Sequence, residues 1–270
     1  MSTLNIDAYL KRIGFVPQCG EEDPTEKLIR LHSCHSFTVP FEDFDCYCRV
    51  PFTLNLDDIF EKVVTNRRGG YCFEINKLFH ELLKEMGYSV RAILCRPFSA
   101  EGARLSMTHR LIEVTIDGTV WLADVGLGGN GWIAPLKFEV GVEQEQYGRT
   151  YRIVSEPNMG YLVERKVGDN FVSGVAFGFQ YADESDFELS NFFTSTHPDS
   201  AFLNRMMCTL PTPDARYVIR DNMFRIVDSK GEQQSEEVLT PSNFNDIVSR
   251  YFGITLTAPM YDYIHAKLKG

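Results

Sequence analysis

The sequence predicts an α+β protein in which helices, antiparallel strands and a mixed α/β segment follow one another along the chain. In the first third, apolar residues recur every three or four positions, which is typical of amphipathic helices. In the middle third they alternate with polar residues, the pattern of half-buried strands. The last third contains both patterns. Because no Gly-, Ser- or Pro-rich linker separates the thirds, we expect residues 1–87, 88–190 and 191–270 to pack as one unit with soft boundaries.

Helices are predicted throughout the first third. The clearest begins at Cys72, because the apolar residues after it form a single stripe and Gly87 follows as a helix-ending glycine. Acidic residues after Leu56 suit a helix N-terminus, where they meet the positive end of the helix dipole. The predicted helical segments are residues 7–14, 26–33, 56–64 and 72–86.

The middle third is predicted to form a curled antiparallel sheet or a small barrel. Asp117-Gly118, between two alternating segments, is the strongest short-range hairpin signal. Because this loop has two residues, we expect Ile116 to pair with Thr119. The predicted strands are residues 88–96, 109–116, 119–125, 151–154, 160–166 and 171–179.

The last third combines a hairpin with a helix. Two strands are expected on either side of Asp221-Asn222, at residues 216–220 and 223–227. Thr240 is predicted to be an N-cap with Pro241 at the first helical position, and Gly253 to end the helix.

The composition excludes several classes of protein. With 44% hydrophobic and 24% charged residues among 270, the chain is globular in type and not wholly disordered. The 27 Lys and Arg residues against 37 Asp and Glu residues give a net charge of −10. No basic cluster is longer than Arg67-Arg68. Since phosphate backbones and anionic membrane surfaces attract basic patches, we expect neither nucleic acid nor a membrane as a partner.

The N-terminus and the cysteines predict a cytoplasmic protein. Residues 1–7 have neither the basic nor the apolar region of a signal peptide, and no run approaches the roughly 18 apolar residues of a membrane span. The seven cysteines are an odd number without a CxxC pair, in a chain large enough to fold without disulfides. We therefore expect the cysteines to be reduced, which leaves one of them free to act as a nucleophile.

Cys72 is the candidate nucleophile. It stands at the predicted start of the clearest helix, directly after Gly69-Gly70-Tyr71. Free N–H groups and the positive end of the helix dipole favour a thiolate at this position and can hold a developing oxyanion. The glycines let the backbone turn sharply and approach a substrate. The alternative interpretation of Cys72 is a small buried hydrophobic residue, as most free cysteines are.

His109 and Asp124 are the candidate base and its orienting acid. The expected hairpin pairing places Leu111 opposite Asp124. His109 shares a face with Leu111, because the two are two positions apart on one strand. The histidine and the aspartate therefore point to the same side as diagonal neighbours, with Cβ atoms about 7–8 Å apart, a gap that a hydrogen bond can close. A loop one residue longer or shorter would place them on opposite faces.

The three residues follow one another as nucleophile, base and orienting acid. Asp124 would fix the tautomer of His109 and stabilise its protonated form. His109 would keep Cys72 ionised and manage the proton of an attacking nucleophile. Considered singly, a strand histidine and a turn acid are ordinary structural residues. Their shared face favours a catalytic role.

Four blocks of the sequence resemble the arylamine N-acetyltransferase family. They are VPFEDF at 39–44, RRGGYCFE at 67–74, WLADVG at 121–126 and STHPDSAF at 195–202. The resemblance implies an N-terminal helical bundle, a central antiparallel β-barrel and a C-terminal α/β lid, with a cysteine-protease-like catalytic core. It implies Cys72, His109 and Asp124 as the catalytic triad. It also implies acetyl-CoA as acyl donor, an arylamine or arylhydrazine as acceptor, and a role in xenobiotic metabolism.

Carried over residue by residue, the resemblance implies further roles near the acceptor. Phe41 would line the acceptor pocket, and Leu127 would border the mouth of the active site. Leu127 departs from the family's pattern, which often has an aromatic residue there, so a stacking surface for an aromatic amine is lost. Glu42 would form an ion pair with Arg67 and brace the catalytic helix.

The resemblance also implies where the coenzyme binds. Thr108 and Phe202 would lie along the coenzyme cleft, and Gly126 would border the active-site mouth and contact the coenzyme. Ile75 departs from the family, which commonly has a polar residue after the Cys-Phe/Tyr-Glu motif. It lies outside the triad.

No metal site is expected. His32, Cys34 and His35 could be imagined as ligands, but a tetrahedral site needs four converging groups and no second pair is apparent. The glycines of residues 126–131 do not lead from a strand into a helix, so they do not indicate a dinucleotide fingerprint.

Two other functions remain open. A transglutaminase-like or papain-like cysteine amide hydrolase would use the same triad, and formation of an acetyl adduct on Cys72 with release of CoA separates it from a transferase. In a non-enzymatic scaffold, Cys72 would have the alkylation kinetics of an ordinary thiol. The acetyltransferase is the preferred function.

Overall fold

The computed structural model describes residues 4–99, 102–229 and 231–269. Five helices occupy the first part of this described chain, and each predicted helical segment falls on one of them, with 7–14 and 72–86 running one residue too far. Asp23 caps the second helix by accepting the N–H groups of Thr25 and Glu26. The helices are α1 (Ile6–Ile13), α2 (Pro24–Thr38), α3 (Phe44–Tyr47), α4 (Leu56–Phe60), which continues as a π-helical turn over Glu61–Thr65, and α5 (Cys72–Glu85).

Antiparallel strands form a nearly closed barrel after α5. The predicted hairpin register is confirmed, since Ile116 pairs with Thr119. The strands are β1 (Phe41–Glu42), which belongs to a second sheet, and then β2 (Ser89–Pro97), β3 (His109–Ile116), β4 (Thr119–Ala123), β5 (Leu136–Lys137), β6 (Glu143–Gln146), β7 (Arg149–Glu156), β8 (Gly160–Val167) and β9 (Asn170–Phe177). Their order in the barrel sheet is β5-β4-β3-β2-β9-β8-β7-β6.

Side chains close the seam between the two edge strands of this barrel. Gln144 accepts the N–H of Lys137 and donates to its carbonyl, both at 2.8 Å. Gln146 accepts the N–H groups of Ile133 and Ala134 and donates to the Ala134 carbonyl. The amide groups of β6 thus satisfy backbone groups at and before β5 that a neighbouring strand would otherwise pair with.

The last part of the chain contains helices and a second sheet. The elements are α6 (Glu184–Thr196), α7 (Ala201–Asn204), β10 (Met207–Pro211), β11 (Ala215–Arg220), β12 (Met223–Asp228), β13 (Gln233–Val238), α8 (Phe244–Phe252) and α9 (Ala258–Leu268). The sheet order is β1-β10-β11-β12-β13, so β1 of the helical part is an edge strand of the C-terminal sheet. The predicted hairpin is confirmed by the pairing of Arg220 with Met223.

The predicted start of α8 was wrong by three residues. The helix begins at Phe244, and residues 241–243 form a turn before it. Asn243 accepts the N–H of Thr240 through its side chain, and Phe244 N–H donates to the Thr240 carbonyl. The amide of Asn243 thus reaches back across the turn, and Pro241 lies within the turn instead of opening the helix.

Among the residues described, the buried hydrophobic side chains form three clusters. The first surrounds α5 and includes Cys72 and Phe41. The second lies under α8 and α9, and the third fills the barrel around Trp132 and Tyr151. Helix α6, which spans residue 190, contributes Phe187 to the first cluster. No helix among the residues described is both long and apolar enough to cross a bilayer.

Candidate active site

The segment before α5 is fixed by close backbone packing. A Cβ added to Gly69 would lie 2.1 Å from the Pro40 carbonyl oxygen, so only glycine fits there. Gly70 N–H donates to the Pro40 carbonyl at 3.3 Å, and Glu42 N–H donates to the Gly70 carbonyl at 3.1 Å. These contacts hold the segment against β1 immediately before Cys72.

The ion pair that braces this segment uses Arg68, so the predicted pair between Glu42 and Arg67 was wrong by one residue. Arg68 Nε and Nη2 donate to the two carboxylate oxygens of Glu42 at 2.8 and 3.0 Å, and Nη2 also donates to Asp45 at 3.0 Å. Arg67 is exposed and has a positive φ of 53°. Because the chain turns at this left-handed residue, the Arg67 side chain faces solvent while Arg68 points inward.

Lys62 and Glu74 extend the ion pairs to the helix that carries Cys72. Lys62 Nζ lies 2.6 Å from Asp45 Oδ2 and 2.7 Å from Glu74 Oε1. The other Glu74 oxygen accepts Tyr71 N–H at 3.1 Å, the reach-back of a capping box. A buried chain of alternating charges therefore fixes the N-terminus of α5.

Cys72 is the first residue of α5, as predicted. Its side chain is buried, with a relative exposure of 3%, and its thiol donates to the Thr108 carbonyl at 3.6 Å. The Glu74 N–H donates to the Tyr71 carbonyl at 3.0 Å, whereas the N–H groups of Cys72 and Phe73, at the first two helical positions, have no partner inside the helix. They are therefore available beside the sulfur for an oxyanion.

The structure brings His109 and Asp124 together from neighbouring strands. His109 Nε2 lies 2.6 Å from Asp124 Oδ2, and both side chains are buried. Strand β4 ends at Ala123, so Asp124 is the first residue beyond the ladder. Because Nε2 contacts the carboxylate, Nδ1 is the ring nitrogen left for Cys72, which is near enough to this imidazole to help raise its pKa.

The surroundings of His109 favour its protonated form. Burial alone would lower the pKa of His109, because it penalises a charge. The carboxylate of Asp124, its hydrogen bond to the ring and the nearby Cys72 side chain outweigh burial and raise the pKa to about 10. An imidazolium beside a thiol at a helix N-terminus is the environment that favours a nucleophilic thiolate.

Asp124 is held by residues that the sequence analysis did not assign to the site. Asn76 Nδ2 and Gly126 N–H each donate to Asp124 Oδ1 at 2.8 Å. His32 Nε2 accepts the backbone N–H of Asp124 at 3.0 Å. Asn76 stands one turn after Cys72 on α5, and this i, i+4 spacing was a signal that could have found it. His32 was considered only as a metal ligand, and no sequence signal connects it with residue 124.

The residues predicted for the acceptor lie on one side of the triad. Phe41 and Leu127 line a small cavity together with Asp124 and Trp132. Its volume of about 20 Å³ holds about one water molecule. Gly126 packs against the helix carrying the nucleophile, since an added Cβ would lie 2.9 Å from the Cys72 Cα. The acceptor side is closely packed in this structure.

The residues predicted for the coenzyme are not brought into one cavity. Thr108 lines a groove of about 680 Å³ between residues 106–108 and α6, and the same residue's carbonyl contacts the Cys72 thiol. Phe202 instead packs on Phe41 and Tyr71, with ring centroids 6.2 and 5.6 Å away. The groove beside Thr108 is rich in apolar side chains from α6.

His32 and His35, two of the three imaginable metal ligands, both make other contacts. Both are buried, and His35 Nδ1 is hydrogen-bonded to the Tyr9 hydroxyl at 2.8 Å. Across the described ranges, no group of three or more His, Cys, Asp or Glu residues is arranged to hold a metal ion.

Comparison with known proteins identifies the family. A family model described as N-acetyltransferase matches residues 25–261. The arylamine N-acetyltransferase of Mycobacterium tuberculosis is 31% identical over 260 residues, which cover 94% of this chain and 90% of that protein. The chain belongs to the arylamine N-acetyltransferase family. It is therefore an enzyme, an acyltransferase.

Solved structures of the family confirm the α+β fold class. The Nocardia farcinica arylamine N-acetyltransferase superposes with a TM-score of 0.89 at 29% identity, covering 99% of this chain and 96% of that one. The Mycobacterium marinum arylamine N-acetyltransferase in complex with CoA gives 0.88 at 28% identity, with 98% of each chain covered. The helices, the nearly closed barrel and the C-terminal α/β part are those of an arylamine N-acetyltransferase.

Proposed function

We propose that this chain transfers an acetyl group from acetyl-CoA through Cys72 to an arylamine or arylhydrazine by ping-pong catalysis. The observation that carries the proposal is the buried 2.6 Å contact between His109 Nε2 and Asp124 Oδ2, where His109 is the residue next to Thr108, whose carbonyl accepts the Cys72 thiol. The CoA-bound M. marinum relative supports acetyl-CoA as co-substrate.

In the first half-reaction, the Cys72 thiolate attacks the thioester carbonyl carbon of acetyl-CoA. A new C–S bond forms, and the carbonyl oxygen becomes an oxyanion that the N–H groups of the first α5 turn stabilise. The tetrahedral intermediate collapses by breaking the bond to the CoA sulfur. That sulfur leaves with a proton from the His109 imidazolium. Acetyl-Cys72 and neutral His109 remain.

In the second half-reaction, the amine nitrogen attacks the carbonyl carbon of acetyl-Cys72. His109 accepts the proton that the nitrogen loses as the new C–N bond forms. The Cys72 thiolate then leaves, which restores the thiolate–imidazolium pair. Asp124 keeps the imidazole in the tautomer and orientation that both proton transfers need.

Two sides of the triad are proposed to serve the two substrates. Phe41 and Leu127 border the acceptor, since they line the cavity that reaches Asp124. Thr108, Gly126 and Phe202 are proposed to contact the coenzyme, with support from the groove at Thr108 beside the sulfur. Without an aromatic ring at position 127, we expect this enzyme to stack aromatic amines less strongly than relatives that carry one.

Exclusion of water decides between transfer and hydrolysis. An acyl-enzyme reached by water would behave as a thioesterase, so the burial of Cys72 and His109 supports transfer to an amine. A cysteine amide hydrolase with the same triad is the competing function. Residues 41–42 and 67–70 support the site in either case, because their contacts brace α5 whatever the substrate.

Intact-protein mass spectrometry tests the proposed function. Incubation with acetyl-CoA alone is expected to add one acetyl group and release free CoA before any amine is present. A Cys72→Ala variant is the control that must stay unmodified. Addition of an aniline or hydrazine panel is then expected to remove the acetyl group and yield the acetylated amine. Wild-type protein that forms no adduct and cleaves amides instead would support the hydrolase.

The cellular setting completes the proposal. We place the enzyme in the cytoplasm, acting in xenobiotic metabolism, with no nucleic acid or membrane partner. All seven cysteines are free, which is the state expected in a reducing compartment. We also propose that the chain divides into a helical bundle at 1–87, a barrel at 88–190 and a lid at 191–270.

A further inference from the structure

His32 is a buried histidine on α2 that takes no part in the proposed proton transfers. Its ring is 0% exposed and packs edge-on against Phe79, with ring centroids 5.7 Å apart. Nε2 lies 3.0 Å from the backbone nitrogen of Asp124, and Nδ1 lies 2.7 Å from the carbonyl oxygen of Ile133. One imidazole therefore contacts both ends of the segment 124–133.

These two partners determine which ring nitrogen of His32 carries hydrogen. The backbone N–H of Asp124 can only donate, so Nε2 must be an unprotonated acceptor. The carbonyl of Ile133 can only accept, so Nδ1 must carry the hydrogen. Burial lowers the pKa of His32 to about 4, so the ring is neutral at physiological pH and can satisfy both partners at once.

The segment between these two contacts carries much of the site. Asp124 orients His109, Gly126 lies against Cys72, and Leu127 borders the acceptor cavity. Arg216 holds the middle of the segment by donating to the carbonyls of Gly128 and Gly131 at 2.8 and 3.0 Å. His32 holds its two ends.

We propose that His32 is a positioning residue of the acetyl transfer, which sets the place of Asp124 by closing the segment 124–133 against α2. The proposal rests on the proposed function. Asp124 Oδ2 contacts His109, Oδ1 accepts two N–H groups, and the backbone N–H donates to His32. The contact with His32 ties the Asp124 backbone nitrogen to α2, while Asn76 on α5 accepts the N–H of the next residue, Val125, at 2.9 Å.

Two amide variants separate the two contacts of His32. The amide of His32→Gln reaches the position of Nε2, so its oxygen can still accept the Asp124 N–H. The shorter amide of His32→Asn reaches the position of Nδ1, so it can donate to Ile133 but leaves the Asp124 N–H without its acceptor. His35→Gln is the matched control, because His35 is equally buried one turn later and bonds to Tyr9 instead.

The readouts are the rate of Cys72 alkylation by iodoacetamide and the single-turnover rate of Cys72 acetylation by acetyl-CoA. We expect His32→Gln and His35→Gln to keep both rates near the wild-type values. We expect His32→Asn to lower both by at least about tenfold, since a small misplacement of a catalytic group has effects of that order. Thermal unfolding of all variants measures the accompanying change in stability.

The proposal is overturned if His32→Asn and His32→Gln have the same rates as each other, whatever their melting temperatures. Nitrogen-15 NMR of the wild-type protein provides a test that needs no variant. We expect the Nδ1–H tautomer and a coupling across the hydrogen bond from the Asp124 amide to His32 Nε2. An Nε2–H tautomer would contradict the proposal. The alkylation rate does not use acetyl-CoA, so it tests His32 even if the wild-type protein fails to acetylate.

Discussion

The imidazole of His109 and the carboxylate of Asp124 meet at 2.6 Å in the interior of the protein. The two residues are 15 positions apart and flank one hairpin, so their meeting depends on the length of a single turn. The Cys72 thiol reaches the same imidazole from the N-terminus of a helix. A helix N-terminus thus supplies the thiol and a hairpin supplies the imidazole and the carboxylate. The packing of α5 against β3 brings these three groups together.

Asp124→Asn should impair catalysis while leaving the fold intact. The amide oxygen can still accept the Asn76 and Gly126 N–H groups, but its NH₂ group faces His109 Nε2 and forces this nitrogen to accept. The imidazole is then held in the wrong tautomer, and a loss of about 10⁴-fold in the acetylation rate is expected from the same change in another triad. Single-turnover mass spectrometry measures the rate. Urea unfolding close to wild type confirms that the loss is chemical.

Arg68→Ala should destabilise the protein far more than Arg67→Ala. Removing Arg68 leaves the buried carboxylates of Glu42 and Asp45 short of a cation, at a cost of about 3–5 kcal/mol in the free energy of unfolding. Arg67 is exposed, so its removal is expected to change this free energy by less than about 0.5 kcal/mol. Urea denaturation of both variants compares them directly. Equal losses would contradict the assignment of the ion pair to Arg68.

Gly126→Ala should disturb the site, whereas Gly129→Ala should be tolerated. A methyl group at 126 would lie 2.9 Å from both the Cys72 Cα and the Asn76 amide nitrogen. We expect a stability loss of about 1–3 kcal/mol and slower Cys72 acetylation, because these neighbours must move apart. At 129, apart from the two chain neighbours, no atom of the residues that the structure describes lies within 4 Å of the added group. Denaturation curves and single-turnover rates for the pair, compared with wild type, would show the contrast.

The free energy of unfolding should fall on acidification, and it should fall less in His32→Gln than in the wild-type protein. The folded-state pKa of His32 is about 4, below its ordinary value of 6.5. Between these values the unfolded chain binds a proton at residue 32 that the folded protein does not. The free energy of unfolding therefore loses up to about 1.4 kcal/mol per pH unit from this group as the pH falls through the window.

The difference between wild type and His32→Gln isolates this contribution. The groups near the His32 ring are Asp124, Ser36, Phe79 and His35. Burial also lowers the pKa of His35, but His35 titrates in both proteins and largely cancels in the comparison. Urea denaturation at pH 7.5 and 4.5 should show the stability advantage of wild type shrinking at the lower pH. An advantage independent of pH would mean that His32 is not buried in the neutral form.

Features with a local cause could be predicted from the sequence. The register of the hairpin follows from a two-residue turn and the two-residue period of strands, so the meeting of His109 with Asp124 was accessible without coordinates. Cys72 at a helix start followed from the apolar stripe and the preceding glycines. The α+β class followed from the change of period along the chain.

Features that depend on partners distant in the chain could not be predicted from the sequence. His32 and Asp124 are 92 residues apart, and Asn76 and Asp124 are 48 apart, so no periodicity connects them. The ion pair uses Arg68 instead of Arg67 because Arg67 has a left-handed backbone conformation, which nothing in the local sequence indicates. The residue that precedes α8 is Asn243 and not the predicted Thr240, because a turn over 241–243 comes before the helix.

The barrel is joined at its last seam by the amides of Gln144 and Gln146, which reach the backbone at and just before β5. An amide side chain needs only proximity and not a continuous register with the strand that it contacts. The connection over residues 138–142 is held by contacts of its own, since Phe138 N–H donates to the Val120 carbonyl and Gly141 N–H donates to the Ile153 carbonyl. The two edge strands can therefore meet at an angle or offset that a ladder would forbid, provided that both glutamines still reach across.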